Sequence, residues 1–277
     1  MFLLFALLFF ISLLIISYIE TYFIEVKKIE IFSEKIKKNY TFLLISDLHF
    51  HSGVTNLKFK RVKNKIREIL SKYQVDNVFF TGDFIDNKSG LNKLSNLLEE
   101  FKDKKCYGVF GNHDYWDYNI LHFFYPLFSK IDKKPQNIEK LKKILEKNIE
   151  ILLDEAVQHE ELAIYGLDYK STHAKFDFSN KKFKILLSHY PEVIELYKDK
   201  VDLVLSGHTH GGQLTFFGIP LVVRSKLKRK WIKGMSIHNS TTLIVTKGVG
   251  ESFYIPFRFF SRPEMVIIEL KGGKNET

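Results

Sequence analysis

The chain begins with an unbroken apolar run. Residues 1–19 carry no charged side chain and consist almost entirely of Leu, Ile and Phe. A helix of that length spans about 29 Å, roughly one hydrocarbon core of a bilayer. A buried core helix is the alternative, but the run has no polar face. A cleavable signal peptide would need a basic start and a small-residue cleavage site. We therefore expect a transmembrane anchor over residues 1–22.

Beyond this run, short β-rich stretches alternate with segments of helical periodicity. Buried strands are predicted at 41–46, 77–81, 106–110, 183–188 and 203–206. Helices are predicted at 59–73, 91–101 and 138–145, the last with Asn137 as its N-cap. From residue 239 onward the pattern is mostly strand.

This order of elements predicts one α/β domain with two packed sheets. We place the domain at residues 40–271. A juxtamembrane segment with a first strand precedes it at 23–39, and a polar tail follows at 272–277.

Each predicted strand is followed directly by polar residues able to bind a metal. They are Asp47, His49, Asp83, Asn112, His189, His208 and His210. The carboxyl ends of strands in open α/β sheets are where such folds place their sites, so we expect these side chains to converge. Five of the ten histidines lie in these motifs, the fifth being His113.

The donor set contains oxygen and nitrogen atoms but no thiolate. Such a set suits Mn²⁺, Fe²⁺ or Zn²⁺ rather than Ca²⁺. Seven ligands are too many for one ion, whereas two ions about 3.5–4 Å apart with a bridging carboxylate would use them all.

Composition narrows the class of protein further. Hydrophobic residues at 45% and charged residues at 27% exclude a disordered chain, and the single cysteine, Cys106, excludes a disulfide framework. The net charge is +10, and no basic residue precedes Lys27. The positive-inside rule then predicts that the chain after the apolar run lies in the cytoplasm.

The motifs D-x-H, G-D-x-x-D, G-N-H-D, H and G-H-x-H occur in this order between Asp47 and His210. In them the sequence resembles the calcineurin-like metallophosphoesterases. It is most similar to their membrane-anchored bacterial YaeI/YkuE-type branch, through the N-terminal apolar run, GHTHGGQ at 207–213 and the segment 247–270. This resemblance implies a single-pass protein of the bacterial inner membrane with a cytoplasmic catalytic domain.

The resemblance implies a four-layer αββα sandwich, the metallo-dependent phosphatase fold, carrying two divalent metal ions with manganese favoured. Asp47, His49 and His210 would hold one ion and Asn112, His189 and His208 the other, with Asp83 bridging them. A hydroxide between the ions would attack phosphorus in line. His113 would assist the leaving oxygen as general acid or electrostatic stabiliser, oriented by Asp86. Asp114 is expected to cap a turn.

The motifs define the reaction but not the substrate. Basic residues at 58–72 and 224–233 and the aromatic-rich stretch 115–130 favour contact with anionic lipid, with 115–130 predicted as a lid. A solvated basic face and ordinary core packing are the simpler explanations of these two features.

The leading hypothesis is a membrane-anchored phosphoesterase acting on a lipid-linked phosphodiester or pyrophosphate, with UDP-2,3-diacylglucosamine as one candidate. The alternatives are a broad-specificity phosphodiesterase for soluble substrates and a non-catalytic scaffold on the same fold. The expected partners are the lipid bilayer and a phosphorylated substrate. A nucleic-acid partner is not expected, and the oligomeric state is left open.

Overall fold

The computed structural model describes residues 2–117, 134–171, 173–216, 219–220, 231–251 and 256–273. Within these ranges the helices are α1 (Phe2–Glu20), α2 (Asn56–Lys72), α3 (Leu91–Leu98), α4 (Asn112–Tyr115), α5 (Ile138–Leu145) and α6 (Ile194–Tyr197). The strands are β1 (Glu25–Ser33), β2 (Tyr40–Ile45), β3 (Asn77–Thr81), β4 (Lys105–Val109), β5 (Trp116–Asp117), β6 (Lys134–Pro135), β7 (Glu150–Ile151), β8 (Glu155–His159), β9 (Leu162–Leu167), β10 (Phe183–Ser188), β11 (Leu203–Ser206), β12 (Thr215–Phe216), β13 (Ile219–Pro220), β14 (Gly234–His238), β15 (Thr241–Val245) and β16 (Glu264–Gly272).

Two six-stranded sheets form the framework. The first has the order β1-β16-β2-β3-β4-β7, and the second has the order β14-β15-β11-β10-β9-β8. In the first sheet β2, β3, β4 and β7 run parallel, and β16 pairs antiparallel with β2. In the second sheet β9, β10, β11 and β15 run parallel. The parallel strands of each sheet therefore direct their carboxyl ends to one edge.

The inner faces of the two sheets pack against each other. Phe42 and Phe79 of the first sheet share a buried cluster with Ile164, Leu187 and Leu205 of the second. Buried side chains at alternate positions of both sheets give this layer a continuous apolar interior.

The outer layers differ in regularity. Helices α2, α3 and α5 cover the first sheet through a second apolar cluster that includes Ile66, Leu94 and Leu145. The second sheet is covered by the one-turn helix α6 and by side chains from irregular segments, among them Phe176 and Trp231. The four layers of the predicted α/β metallophosphatase fold are present, with the fourth built mostly from irregular chain.

Several predicted elements are confirmed at their boundaries. Strands β3 and β10 begin and end where the hydrophobic runs do, and helix α5 begins after Asn137. The Asn137 side chain accepts a hydrogen bond from the backbone N–H of Lys140, so it is an N-cap.

The predicted membrane anchor is wrong. The apolar run forms helix α1, but the part of the chain that the structure describes contains no helix long and apolar enough to cross a membrane. The single-pass inner-membrane localisation is overturned with it. The end of α1 contacts the rest of the chain instead. The Ser17 carbonyl oxygen accepts a hydrogen bond from the Arg258 backbone N–H at 3.2 Å, and the Glu20 carboxylate accepts one from the Phe260 backbone N–H at 2.8 Å.

Candidate metal centre

The ends of five parallel strands bring the predicted ligands together. β2 leads to Asp47 and His49, β3 to Asp83, β4 to Asn112, β10 to His189, and β11 to His208 and His210. Because β2, β3 and β4 belong to one sheet and β10 and β11 to the other, the cluster lies across the paired edges of the two sheets. All of these side chains except that of His208 belong to buried residues.

One group of ligand atoms comes from Asp47, His49 and His210. Each of these residues offers one atom, and the three atoms lie within 4.8 Å of one another. The Nε2 atoms of His49 and His210 are 3.0 Å apart, and Asp47 Oδ1 lies 3.9 Å from the first and 3.8 Å from the second.

A second group surrounds His189. Its Nε2 atom lies 3.1 Å from Asn112 Oδ1 and 3.1 Å from His208 Nδ1. The His208 atom in this contact is the δ nitrogen. The group therefore offers two imidazoles and an amide oxygen.

Asp83 lies between the two groups. Its Oδ2 atom is 3.5 Å from His49 Nε2 and 3.3 Å from His189 Nε2. Its Oδ1 atom accepts the backbone N–H of His113 at 2.8 Å, which fixes the plane of the carboxylate. One oxygen thus faces ligands of both groups, as a bridging carboxylate must.

His49 and His189 each contact an oxygen atom through Nδ1, which orients the ring so that Nε2 faces the cluster. His49 Nδ1 lies 2.6 Å from Asp86 Oδ1, and His189 Nδ1 lies 2.8 Å from the Thr81 carbonyl oxygen. Protein metal sites orient their histidine ligands through such contacts. The donor set and its orientation therefore fit two divalent ions.

The electrostatics favour positive charge on two of the ligand histidines, whereas burial and the neighbouring His49 and Arg258 lower the pKa of His210. Burial opposes protonation of His49, but the carboxylates of Asp86 and Asp83 raise its pKa to about 9. Burial likewise opposes protonation of His189, whereas Asp83 and Asp47 raise its pKa to about 9. The field that would hold protons on these rings is also the field that would hold metal cations.

His113 lies beside the ligands, and one of its ring nitrogens lies within 4.8 Å of ligand atoms of His49 and Asp83. Its Nδ1 atom is 2.7 Å from Asp86 Oδ1, the same oxygen that contacts His49. Gln136, which the motifs did not single out, donates from Nε2 to the His113 carbonyl oxygen at 2.6 Å. Asp86 thus positions one predicted ligand and the predicted leaving-group histidine together.

The Asp114 side chain binds backbone N–H groups. Its carboxylate accepts from the N–H groups of Asp83, Phe84 and Gly111 at 2.8, 2.8 and 2.9 Å. Burial and the charge of Asp83 raise the Asp114 pKa to about 7. As expected from its position in the motif, it caps a turn, and it holds two motif loops against each other.

Five of the proposed ligands have left-handed backbone conformations. Asp47, His49, Asp83, His208 and His210 have φ between 46° and 70°. Few residues other than glycine adopt this region, although Asn, Asp and His do so more often than most, and such conformations concentrate at functional sites. They turn consecutive side chains of each short loop toward the cluster.

Arg258 is a residue of the site that the sequence motifs did not identify. It is fully buried, and its Nη2 atom lies 3.2 Å from His210 Nδ1. Its position 48 residues after His210 in the chain, within an apolar stretch, gave no local signal of this contact.

The aromatic-rich stretch 115–130 and the basic residues at 58–72 and 224–233 suggested contact with lipid, and the structure describes them only in part. Most of the predicted lid at 115–130 lies outside the described residues, and Tyr115 itself is buried, with its hydroxyl donating to Asp168 at 2.8 Å. On α2, the cations of Lys63 and Arg67 pair with Glu100 at 3.1 and 2.7 Å. Of the second basic stretch, residues 224–230 also lie outside the described part of the chain.

Comparisons with known proteins identify similar sequences and folds. The model of the family described as calcineurin-like phosphoesterase matches residues 40–212. An uncharacterized metallophosphoesterase of Aquifex aeolicus (strain VF5) is 30% identical over 274 residues, covering 94% of this chain and 96% of the relative. The uncharacterized metallophosphoesterase YkuE of Bacillus subtilis (strain 168) is 29% identical over 282 residues, covering 92% of this chain and 88% of the relative. Among solved structures, purple acid phosphatase PPD1 from yellow lupin (Lupinus luteus) matches with a TM-score of 0.44 and 11% identity, over 88% of this chain and 58% of that one.

Proposed function

Because the chain belongs to the calcineurin-like phosphoesterase family and is a metal-dependent phosphoesterase, we propose that it hydrolyses a phosphodiester or pyrophosphate bond at a two-metal centre. The observation that carries the proposal is the position of Asp83 Oδ2, 3.5 Å from His49 Nε2 and 3.3 Å from His189 Nε2. A carboxylate oxygen between two groups of ligands is the arrangement that two neighbouring divalent ions require.

Each of the two groups of ligand atoms is proposed to bind one metal ion. Asp47, His49 and His210 would hold one ion, Asn112, His189 and His208 the other, and Asp83 both. When bound, the ions acidify a water molecule and neutralise charge on the phosphoryl oxygens. Manganese is our first choice for both positions, because carboxylate and carbonyl oxygens suit it, and zinc and iron, which imidazole suits, are the next metals to test.

His113 is proposed to protonate the leaving oxygen. Its Nδ1 atom faces the Asp86 carboxylate at 2.7 Å, and its Nε2 atom is the proposed proton donor. Asp86 fixes the orientation of the His113 ring through this contact. General acid catalysis of this kind contributes about 10²–10⁴-fold to rate.

The substrate class is the finer part of the proposal. We propose membership of the YkuE-type branch and a lipid-linked phosphodiester or pyrophosphate, with UDP-2,3-diacylglucosamine as the first compound to assay. The 29% identity with YkuE supports the branch. Two half-buried aromatic rings beside the centre support a substrate with an apolar or planar part, since the Tyr190 and His208 ring centroids are 4.1 Å apart and Tyr169 lies 5.6 Å from Tyr190.

A broad-specificity phosphodiesterase for soluble substrates is the second candidate. It is favoured by the pairing of Lys63 and Arg67 with Glu100, which removes part of the positive charge that suggested an anionic surface. The two candidates share the chemistry and differ in the group attached to phosphorus.

The purified protein should therefore be assayed with Mn²⁺ on bis-p-nitrophenyl phosphate and on UDP-2,3-diacylglucosamine. Asp83→Asn removes one charge from the carboxylate between the two groups, and Asp103→Asn makes the same change at an exposed loop position. We expect Asp103→Asn to match the wild type and Asp83→Asn to lose activity and bound manganese. Wild-type activity in Asp83→Asn would refute the two-metal mechanism, and turnover of only the nitrophenyl ester would favour the second candidate.

A further inference from the structure

The guanidinium of Arg258 is surrounded by acceptors from one loop. Its Nη2 atom donates to the carbonyl oxygens of Lys247, Gly248 and Gly250 at 2.9, 3.2 and 2.6 Å. A fully buried arginine can be accommodated only when its donors are satisfied in this way. The loop 246–250 is thus closed around this cation.

The same loop lies directly against Asp47. The Gly250 backbone N–H donates to the Asp47 carbonyl oxygen at 2.6 Å, and the Val249 N–H donates to the Ser46 carbonyl oxygen at 3.0 Å. Gly248 has a φ of 71° and touches the Asp47 side chain so closely that a Cβ atom there would overlap it. Arg258 therefore holds Asp47 in place indirectly, through the loop 246–250.

Arg258 also reaches the other end of the first ligand group. Its Nη2 atom contacts His210 Nδ1 at 3.2 Å, and its Nη1 atom donates to the Ser261 carbonyl oxygen at 3.0 Å. Ser261 Oγ in turn donates to the His210 carbonyl oxygen at 3.0 Å. The backbone of His210 is therefore held through Arg258 and Ser261, whereas the ring is only in contact with the guanidinium, because an imidazole that binds a metal through Nε2 carries its proton on Nδ1.

The arginine is itself fixed by a buried acid. Glu251 Oε1 accepts from Arg258 Nε at 3.2 Å, and the Lys58 ammonium of α2 pairs with the other carboxylate oxygen of Glu251. The acid balances the two cations only in part, so the carbonyl oxygens of the loop are needed as well.

We propose that Arg258 is a positioning residue that holds Asp47 and His210 in the geometry needed for one of the two metal ions. This inference rests on the proposed two-metal function. His189 in the second group is held by the Thr81 carbonyl oxygen instead. Loss of Arg258 should therefore weaken one metal site and leave the other.

The test is a titration of the metal-free protein with Mn²⁺, followed by calorimetry and by the electron paramagnetic resonance signal of coupled manganese pairs. Arg258→Met removes the donors, and Arg258→Lys keeps the charge but fewer hydrogen bonds. Arg262→Met is the matched control, because Arg262 lies in the same segment with a half-exposed side chain. Thermal unfolding of each variant verifies that it is folded.

We expect the wild type and Arg262→Met to bind two manganese ions per chain. Arg258→Met should bind one ion with wild-type affinity and the other about 10- to 100-fold more weakly, with loss of the coupled signal. Arg258→Lys should fall between them. Folded Arg258 variants that bind both ions with wild-type affinity would overturn the positioning role and leave the proposed function standing.

Two further outcomes are informative. If Arg258→Met does not fold, Ser261→Ala decides in its place, because it removes only the hydroxyl that holds the His210 carbonyl oxygen. A weaker single site in that variant supports the proposal, and two unchanged sites contradict it. A wild-type protein that binds fewer than two ions would overturn the two-metal function itself.

Discussion

His113 Nδ1 lies 2.7 Å from Oδ1 of Asp86, a carboxylate with no solvent-exposed surface. This pair predicts that the need for His113 depends on the leaving group. His113→Gln should lower kcat by about 10²–10⁴-fold for an alkyl phosphodiester, whose leaving oxygen needs a proton. The loss should be much smaller for a p-nitrophenyl ester, because nitrophenolate leaves without one. Steady-state kinetics on both esters measures the difference. His173→Gln, at an exposed position, is the control, and equal losses on both esters would contradict the proposed role.

Gly207 is predicted to be required for the geometry of Asp47. A Cβ atom at Gly207 would overlap Ser46 Oγ and Asp47 Oδ2, so Gly207→Ala must displace the carboxylate. Because misplacing a reacting group by about 1 Å costs about 10²-fold in rate, we expect a loss of that size in kcat. Gly108→Ala is the comparison, since its Cβ would meet apolar side chains of Ile149 and Ile151 at 3.1 and 3.3 Å. Full activity of Gly207→Ala would show that the loop can move freely.

Cys106 is predicted to be inert in the folded protein. Burial raises the pKa of its thiol to about 12, from an ordinary value of 9.0. Ellman's reagent at pH 8 should leave the native protein unlabelled and modify one thiol per chain in urea, because the thiolate is the reactive form. Rapid labelling of the native protein would contradict the buried position.

The same thiol has a consequence for stability at high pH. Between about pH 9 and 12 the unfolded thiol loses its proton while the folded one keeps it, so this group makes the free energy of unfolding fall as pH rises. The slope from one such group approaches about 1.4 kcal/mol per pH unit. Urea unfolding of the wild type and Cys106→Ala across this range should show the shallower fall in the variant.

The layer between the two sheets is predicted to dominate stability. Leu205 on β11 is fully buried there, so Leu205→Ala should lower the free energy of unfolding by about 2–5 kcal/mol. Ile237 on β14 is 70% exposed, so Ile237→Ala should change it by less than about 0.5 kcal/mol. Denaturant unfolding followed by circular dichroism measures both. Similar losses in the two variants would contradict the packing.

The parts of the molecule that could be predicted from sequence are those with local signals. Strand β3 is a short apolar run with polar Asp83 directly after it, and both the strand and the convergence of such residues follow from that pattern. Asn137 was identified as a cap because capping depends on residues only three positions apart.

The parts that could not be predicted depend on contacts between distant residues. β1 pairs with β16 in parallel, from Glu25 with Glu264 to Ser33 with Gly272, and neither stretch alone indicates the other as partner. The guanidinium of Arg258 is satisfied by carbonyl oxygens, which every residue carries, so its sequence context was uninformative. The apolar run at the N-terminus indicated a helix correctly, but its length and its lack of a polar face suggested a membrane span, and the described residues contain no helix long and apolar enough to cross a membrane.

The left-handed φ angles of Asp47, His49, Asp83, His208 and His210 have a consequence for protein engineering. At these positions glycine would relieve backbone strain of up to about 1–2 kcal/mol, least where the residue is Asp. A directed-evolution campaign that selects only for heat resistance in a chelating buffer would therefore collect glycines where the chemistry needs carboxylates and imidazoles. Libraries aimed at a more robust biocatalyst should keep these five codons constant, or should select with manganese present.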